Sequence, residues 1–271
     1  MGRQSKNRYP QDEIKYEGAK VIKLKQKLEP KNFAQEQYMD SLRGCPVTIG
    51  NGPAGSGKTF IVAGIALEKL LAGDVRKIIL TRPVVEADEE LGFLPGTLEQ
   101  KLDPYLKPLF DAIEDHVGPT MAKKLLETQK IEIAPLAFMR GRTFNYSYVI
   151  LDEAQNSTAK QMKMFLTRIG EGSYYSINGD LSQSDLTRPR DVAPEDWEHG
   201  LQYAIRKLRG KSRNIQCIEF FNGDVVRSEL CKEVVDLLDS PDSRRESIER
   251  NATRPTRHSF SEPALLGKGP Q

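Results

Sequence analysis

The run Gly52-Pro53-Ala54-Gly55-Ser56-Gly57-Lys58-Thr59 has the spacing Gly, four residues, Gly-Lys-Thr. Glycines let successive backbone N–H groups turn into one concavity, and a helix N-terminus behind them adds partial positive charge, so such a run holds a polyphosphate. In that reading Lys58 meets the β- and γ-phosphates and the Thr59 hydroxyl ligates a magnesium ion. The flanks agree with it: the apolar run Val47-Thr48-Ile49 leads into the glycines, and a helical pattern begins at Lys58. A glycine-rich turn with an incidental lysine would need neither flank.

Three further runs carry groups that phosphoryl transfer requires. Val149-Ile150-Leu151-Asp152-Glu153-Ala154-Gln155 is an apolar strand that ends in two carboxylates. Asp152 is placed to fix the magnesium ion and its water from the end of a strand neighbouring the phosphate-binding one, and Glu153 to orient or deprotonate the attacking water. In Ser176-Ile177-Asn178-Gly179-Asp180-Leu181-Ser182-Gln183, Gln183 can read the γ-phosphate or its water while Asp180 holds the loop; the bland alternative is a polar Asx turn. Arg227, after Asp224-Val225-Val226, offers a planar fork that stabilises developing phosphate charge, in its own chain or from a neighbour. Alone, an arginine at a helix start is usually only a surface residue.

These groups converge only on a layered α/β scaffold. Between Pro30 and Ser240, short β-branched runs alternate with longer helical ones. Strands are expected at Pro46–Asn51, Lys77–Arg82, Lys130–Pro135, Ser147–Asp152, Tyr174–Gly179 and Ile215–Phe221. Helices are expected at Gln35–Leu42, Lys58–Ala72, Leu98–His116, Thr120–Thr128, Thr158–Gly170, Trp197–Arg209 and Val226–Leu238. In such sheets ligands bind beyond the carboxyl ends of the strands, where the chemical-looking residues fall.

Composition narrows the class. With 38% hydrophobic and 29% charged residues in a chain of 271, the sequence is that of a globular protein with a substantial core. No apolar run approaches the length of a membrane span, and Met1-Gly2-Arg3-Gln4 leads into charged sequence, so a cytoplasmic protein without membrane attachment is expected. Cys45, Cys217 and Cys231 fit neither a disulfide framework nor a zinc site and are read as small core residues. Residues 1–31 carry nine Lys/Arg against four Asp/Glu, and residues 241–271 six against four; with a total of +2, the middle is therefore at −5. This divides the chain into a basic extension at 1–29 with a short strand or hairpin near Gly18–Leu28, an α/β domain at 30–240, and a disordered tail at 241–271.

Taken together, the motifs resemble the PhoH-like ATPases. The resemblance rests on Gly52–Thr59, Arg82-Pro83-Val84-Val85-Glu86-Ala87, Leu91-Gly92-Phe93-Leu94-Pro95-Gly96, Arg140-Gly141-Arg142-Thr143, Asp152–Asn156, Gln161–Gly170, Gly179–Gln183 and Asp224–Arg227, in that order, from about Pro30 to Asp239. It implies an α/β P-loop NTPase with a single RecA-like, mostly parallel sheet, related to the first half of superfamily 1 helicases, with ATP and Mg²⁺ as ligands. It also implies that Gln35, with Tyr38 after it, pairs with the adenine edge, and that Arg227 is a finger. Asp88 and Ser56 stand where the family commonly has Gly and Thr. The compact chain is similar to the bacteriophage-encoded members.

Two functions stay open at this point. Strand separation needs two RecA-like units on one ATP, so kinship implies a homo-oligomer, with a hexameric ring as first expectation. Arg82, Phe93, Arg140 and Arg142 are the candidate nucleic-acid surface, Phe93 stacking on a base and the arginines meeting phosphates of RNA or single-stranded DNA. The loop also carries Glu86, Asp88, Glu89 and Glu90, which repel a phosphate backbone. Alternatively, Phe93 and Leu94 pack at a subunit interface, the arginines form structural ion pairs, and the nucleotide state controls a protein partner without nucleic acid.

Overall fold

The computed structural model describes residues 24, 25, 27–83, 98–188, 193, 197–226 and 230. All six expected strands form: β1 Val47–Asn51, β2 Lys77–Thr81, β3 Ile131–Ile133, β4 Ser147–Leu151, β5 Tyr174–Gly179 and β6 Ile215–Glu219. They make one parallel sheet in the order β3-β2-β4-β5-β1-β6. The central strands are buried on both faces, which is why Ser147–Leu151 reads as a continuous apolar run. The edge strands β3 and β6 are mostly half-exposed.

Among the described residues, six helices cover the two faces. On one lie α1 Phe33–Gly44, α2 Lys58–Ala72, α3 Leu98–Val117 and α4 Pro119–Glu127. On the other lie α5 Ala159–Leu166, α6 Gly200–Leu208 and a 3-10 turn at Leu136–Met139. Each face has its own core: Ile61, Ile65, Ile78 and Ile150 belong to the first, and Ile79, Val149, Phe165 and Ile177 to the second. Alternate residues of β2 and β4 thus feed opposite layers, as strand pleating requires.

Local chemistry sets the helix ends. Asn32 caps α1, its side chain accepting from the Gln35 N–H at 2.9 Å. Thr158 and Gln161 form a reciprocal capping box on α5. That helix stops at Leu166 rather than at Gly170, because residues 167–170 turn back to pair Ile169 with Phe144. Cys45 and Cys217 are free and half-buried, Cys217 packing against the second core, and Cys231 lies outside the described residues. The hairpin expected near Gly18–Leu28 lies largely outside the described residues, as do the helix expected at Val226–Leu238 and the tail at 241–271. Among the described residues no helix is long and apolar enough to cross a membrane.

Candidate active site

The phosphate-loop residues sit between β1 and α2. Gly52, Gly55 and Gly57 have φ of +143°, +82° and +85°, the region that favours glycine. At Gly52 space is as restrictive as conformation: a Cβ would lie 2.3 Å from the Phe220 carbonyl oxygen after β6. The segment after Phe220 follows the loop further, since Val226 N–H donates to Gly55 O at 2.9 Å.

Lys58 folds into this loop. Its Nζ donates to the carbonyl oxygens of Gly52 at 2.6 Å and Pro53 at 2.9 Å, and to Ser56 Oγ at 3.1 Å. Burial lowers its pKa, opposed by the charges of Asp180, Asp152 and Glu153. The ammonium is thus held by acceptors that phosphate oxygens can replace. Gln35 is buried beneath the loop, Nε2 donating to Ser56 O at 2.9 Å and Oε1 accepting from Lys31 N–H at 2.9 Å. Both ends of its carboxamide brace backbone, so pairing with an adenine edge would require exchanging these bonds.

The carboxylates arrive from β4. The sequence expectation put Asp152 on a strand neighbouring β1, but β5 lies between them. Asp152 is nevertheless reached from α2, Thr59 Oγ1 donating to its two oxygens at 3.3 and 3.4 Å. Burial pushes the Asp152 carboxyl up from 3.8 to about 6, the Glu153 charge adding to this and Arg82, Thr59 and Lys58 opposing it. A hard cation would relieve a carboxylate so placed. Thr59 and Asp152 are oxygen donors of the kind magnesium takes. Asp180 Oδ2 is also buried without a partner among the described residues, while Oδ1 accepts from Ser182 N–H and Oγ at 2.9 and 2.6 Å.

Glu153 stands at φ +52°, turned out of the strand direction. Arg82 Nη2 donates to its Oε1 at 2.6 Å and Gln155 Nε2 to its Oε2 at 2.7 Å. Gln155, 2% exposed, also accepts from Asp180 N–H at 3.1 Å, linking the ends of β4 and β5. Sequence reasoning gave Gln155 no role; the available signal was a carboxamide two residues beyond the second carboxylate. Gln183 is exposed and lines, with Arg82, Glu153, Gln155, Asn156 and Asp185, a cavity of about 470 Å³.

The expected nucleic-acid residues separate. Arg82 pairs with Glu153, and Arg142 with Glu132, which Lys77 also reaches. Burial raises the Glu132 pKa, but these two cations outweigh it and hold the carboxyl below its usual range. Arg140 is exposed, with no hydrogen bond or ion pair among the described residues. Phe93 and Arg227 lie outside the described residues.

The profile of the PhoH-like protein family matches residues 27–239. The chain belongs to that family. A PhoH-like protein of Bacillus subtilis is 48% identical over 209 residues, which are 77% of this chain and 63% of the relative. Protein PhoH of Escherichia coli K12 is 44% identical over 207 residues, 76% of this chain and 56% of the relative. The chain thus spans about three-fifths of the length of these PhoH relatives. A solved structure of the large terminase from a thermophilic bacteriophage, in complex with ADP, is 14% identical, with a TM-score of 0.45 over 77% of this chain and 50% of that one. This PhoH-like chain has a single six-stranded parallel sheet flanked by helices, with the phosphate-loop run between its strand β1 and helix α2.

Proposed function

We propose that this PhoH-like chain is a magnesium-dependent ATPase whose turnover is coupled to RNA or single-stranded DNA. The observation that carries the reading is the approach of Thr59 Oγ1 to Asp152 at 3.3 Å, with Lys58 preceding Thr59 and Glu153 following Asp152. That pairing joins the phosphate loop to the carboxylate strand across β5, as a metal shared by both would require.

In this mechanism Lys58 leaves the loop carbonyls for the β- and γ-phosphates, and Thr59 and Asp152 hold the metal. A bound magnesium ion supplies charge neutralisation on the phosphates. Glu153, oriented by Arg82 and Gln155, accepts the proton of the water attacking in line, while Gln183 across the cavity positions that water. Arg227 stabilises the transition state, and a homo-oligomer, a hexameric ring in first expectation, supplies it from the neighbouring subunit. In the proposed organisation residues 30–240 form the ATPase domain, between a basic extension and a C-terminal tail. Arg140 and Phe93 are the nucleic-acid contacts.

The two ion-paired arginines favour a second reading. Arg82 and Arg142 already have carboxylate partners, which supports an ATP-regulated assembly that controls a protein partner. Steady-state hydrolysis at low salt, with and without single-stranded RNA and DNA, separates the two, with Glu153→Gln as blank for contaminating ATPases. Severalfold stimulation that fades with salt supports the nucleic-acid reading. Turnover indifferent to both polymers moves it to the protein partner, and wild-type turnover equal to the blank refutes hydrolysis.

A further inference from the structure

Asn178 lies on β5 and is fully buried. Its Oδ1 accepts from Tyr38 Oη at 2.5 Å and from Ser176 Oγ at 3.1 Å. Its Nδ2 has no partner among the described residues. Two buried N–H bonds left unsatisfied cost stability, and native structures rarely keep such a group without a use.

Register shows what lies beside it. Gly50 of β1 pairs with Asn178, and Leu151 of β4 pairs with Ile177, so the next step along β4 brings Asp152 alongside Asn178. Leu151 and Ile177 face the second core, so Asp152 and Asn178 share the opposite face. Contacts agree: Asp152 meets Thr59 of α2, and Asn178 meets Tyr38 of α1. Gly50 makes this approach sterically feasible, because a Cβ there would lie 2.9 Å from Tyr38 Cε2. Burial keeps the Tyr38 hydroxyl protonated, and the Asp152 charge adds to that effect. With both hydroxyls on Oδ1, the amide is oriented and its NH₂ turned away from them.

From this juxtaposition we infer that Asn178 is a ligand-contacting residue whose Nδ2 donates to an acceptor oxygen arriving with the bound nucleotide, beside Asp152. The inference rests on the nucleotide reading above and adds to it a contact from the strand between the phosphate loop and the carboxylates. Acceptor oxygens of this kind have two sources, a water on the metal or a terminal phosphate oxygen.

The test compares wild type, Asn178→Leu and Asn178→Asp for affinity toward Mg·ADP, ADP with EDTA, and a magnesium complex of a non-hydrolysable ATP analogue. Leucine keeps the branched shape and removes the unsatisfied amide, but it also removes the acceptor of the Tyr38 and Ser176 hydroxyls, so its unliganded melting temperature is expected to fall, and affinities are compared at a temperature where it stays folded. Aspartate keeps the acceptor for Tyr38 and Ser176 and removes the donor. Both variants are expected to bind about three- to tenfold more weakly, the range of one net hydrogen bond. A loss with Mg·ADP that disappears in EDTA identifies the metal-bound water; a loss confined to the triphosphate identifies the phosphate oxygen. In wild-type protein labelled with ¹⁵N-asparagine, the side-chain NH₂ signal missing from Asn178→Leu shifts on ligand addition. Unchanged affinity of both variants, or an NH₂ signal indifferent to every ligand, overturns the inference while leaving the nucleotide site intact. Retained affinity in aspartate with loss in leucine overturns the donor assignment. If wild type binds no nucleotide and matches Lys58→Ala, the function and the inference fall together.

Discussion

Gln155→Glu separates two jobs that one buried side chain performs. The carboxylate still accepts from Asp180 N–H, so the tie between β4 and β5 persists. The 2.7 Å bond from Nε2 to Glu153 becomes an encounter of two acceptors. Two carboxylates about 4 Å apart repel by about 4 kcal/mol at an effective dielectric of about 20. Glu153 is 37% exposed, and solvent screening at that exposure brings the repulsion to about 1–2 kcal/mol, or about one pH unit on the pair. Losing a hydrogen bond to a charged group costs about 1.5–3 kcal/mol of Glu153 orientation, which is a tenfold to hundredfold loss of turnover if that orientation serves catalysis. Phosphate release measured across pH 5–9, with Glu153→Gln as blank, reads both effects. The expected outcome is a protein that melts within a few degrees of wild type, turns over at least tenfold more slowly, and has its acidic limb moved to higher pH. Wild-type turnover with an unmoved acidic limb would refute both the orienting role of Gln155 and the use of Glu153 as base.

Three further outcomes follow from the same geometry. Lys58→Ala should weaken binding of a fluorescent ATP analogue by about a hundredfold or more and abolish turnover, because one ammonium serves both phosphates; binding within threefold of wild type contradicts the phosphate-loop reading. Asp152 has a folded pKa of about 6, raised from 3.8, so the folded state favours the protonated carboxyl, and this contribution, whole below about pH 3.8, is lost as pH rises through about 6. Asp152→Asn should therefore stabilise the metal-free protein at pH 8 by about 1–3 kcal/mol in urea, with little effect at pH 4 and loss of the magnesium-dependent gain in nucleotide affinity; equal stability of the two proteins at pH 8 refutes it. Gly52→Ala sets a Cβ 2.3 Å from the Phe220 carbonyl oxygen at a φ of +143°, and should lower the melting temperature by about 6–12 °C, corresponding to about 3 kcal/mol; a shift under 2 °C would show that the loop and the segment after β6 separate easily.

How much of this was legible depended on whether the signal was local. All six strands announced themselves: the four central ones because a strand buried on both faces is largely apolar, and the half-exposed edge strands β3 and β6 because isoleucines recur in them between polar residues. The Gly-Lys-Thr run and the Asp-Glu pair were equally legible, since each needs only its own neighbours. Sheet order was not: nothing within Val149–Asp152 tells which strand lies beside it, and β5 intervened where a direct neighbour of β1 was expected. The same limit hid the partners. Arg82 is 71 residues from Glu153, and Gln155 is 25 residues from Asp180, so charge and amide chemistry on one segment could not name the group on the other. Helix α5 came out shorter than its pattern because the Phe144–Ile169 bridge, a tertiary contact, ends it.

The intervening strand makes the loop after β5 a second tie between the two halves of the site, beside the direct Thr59–Asp152 contact. On the β1 side, Gly52 N–H donates to Gly179 O at 3.1 Å, and Asn51 Oδ1 accepts from Leu181 N–H at 3.2 Å. On the β4 side, Gln155 accepts from Asp180 N–H and donates, at 3.4 Å, to the Gln183 carbonyl oxygen. Residues 179–183 therefore hold the start of the phosphate loop with one edge and the partner of Glu153 with the other. A displacement at Gly52 that broke these bonds would leave buried N–H groups unsatisfied, at about 1–3 kcal/mol each, whereas moving the loop as a body keeps them paired. The cheaper motion carries Gln155 with it, and with Gln155 the carboxylate of Glu153. Position of the phosphate loop and orientation of the candidate base are thus tied through the loop after β5 and the Gln155 side chain.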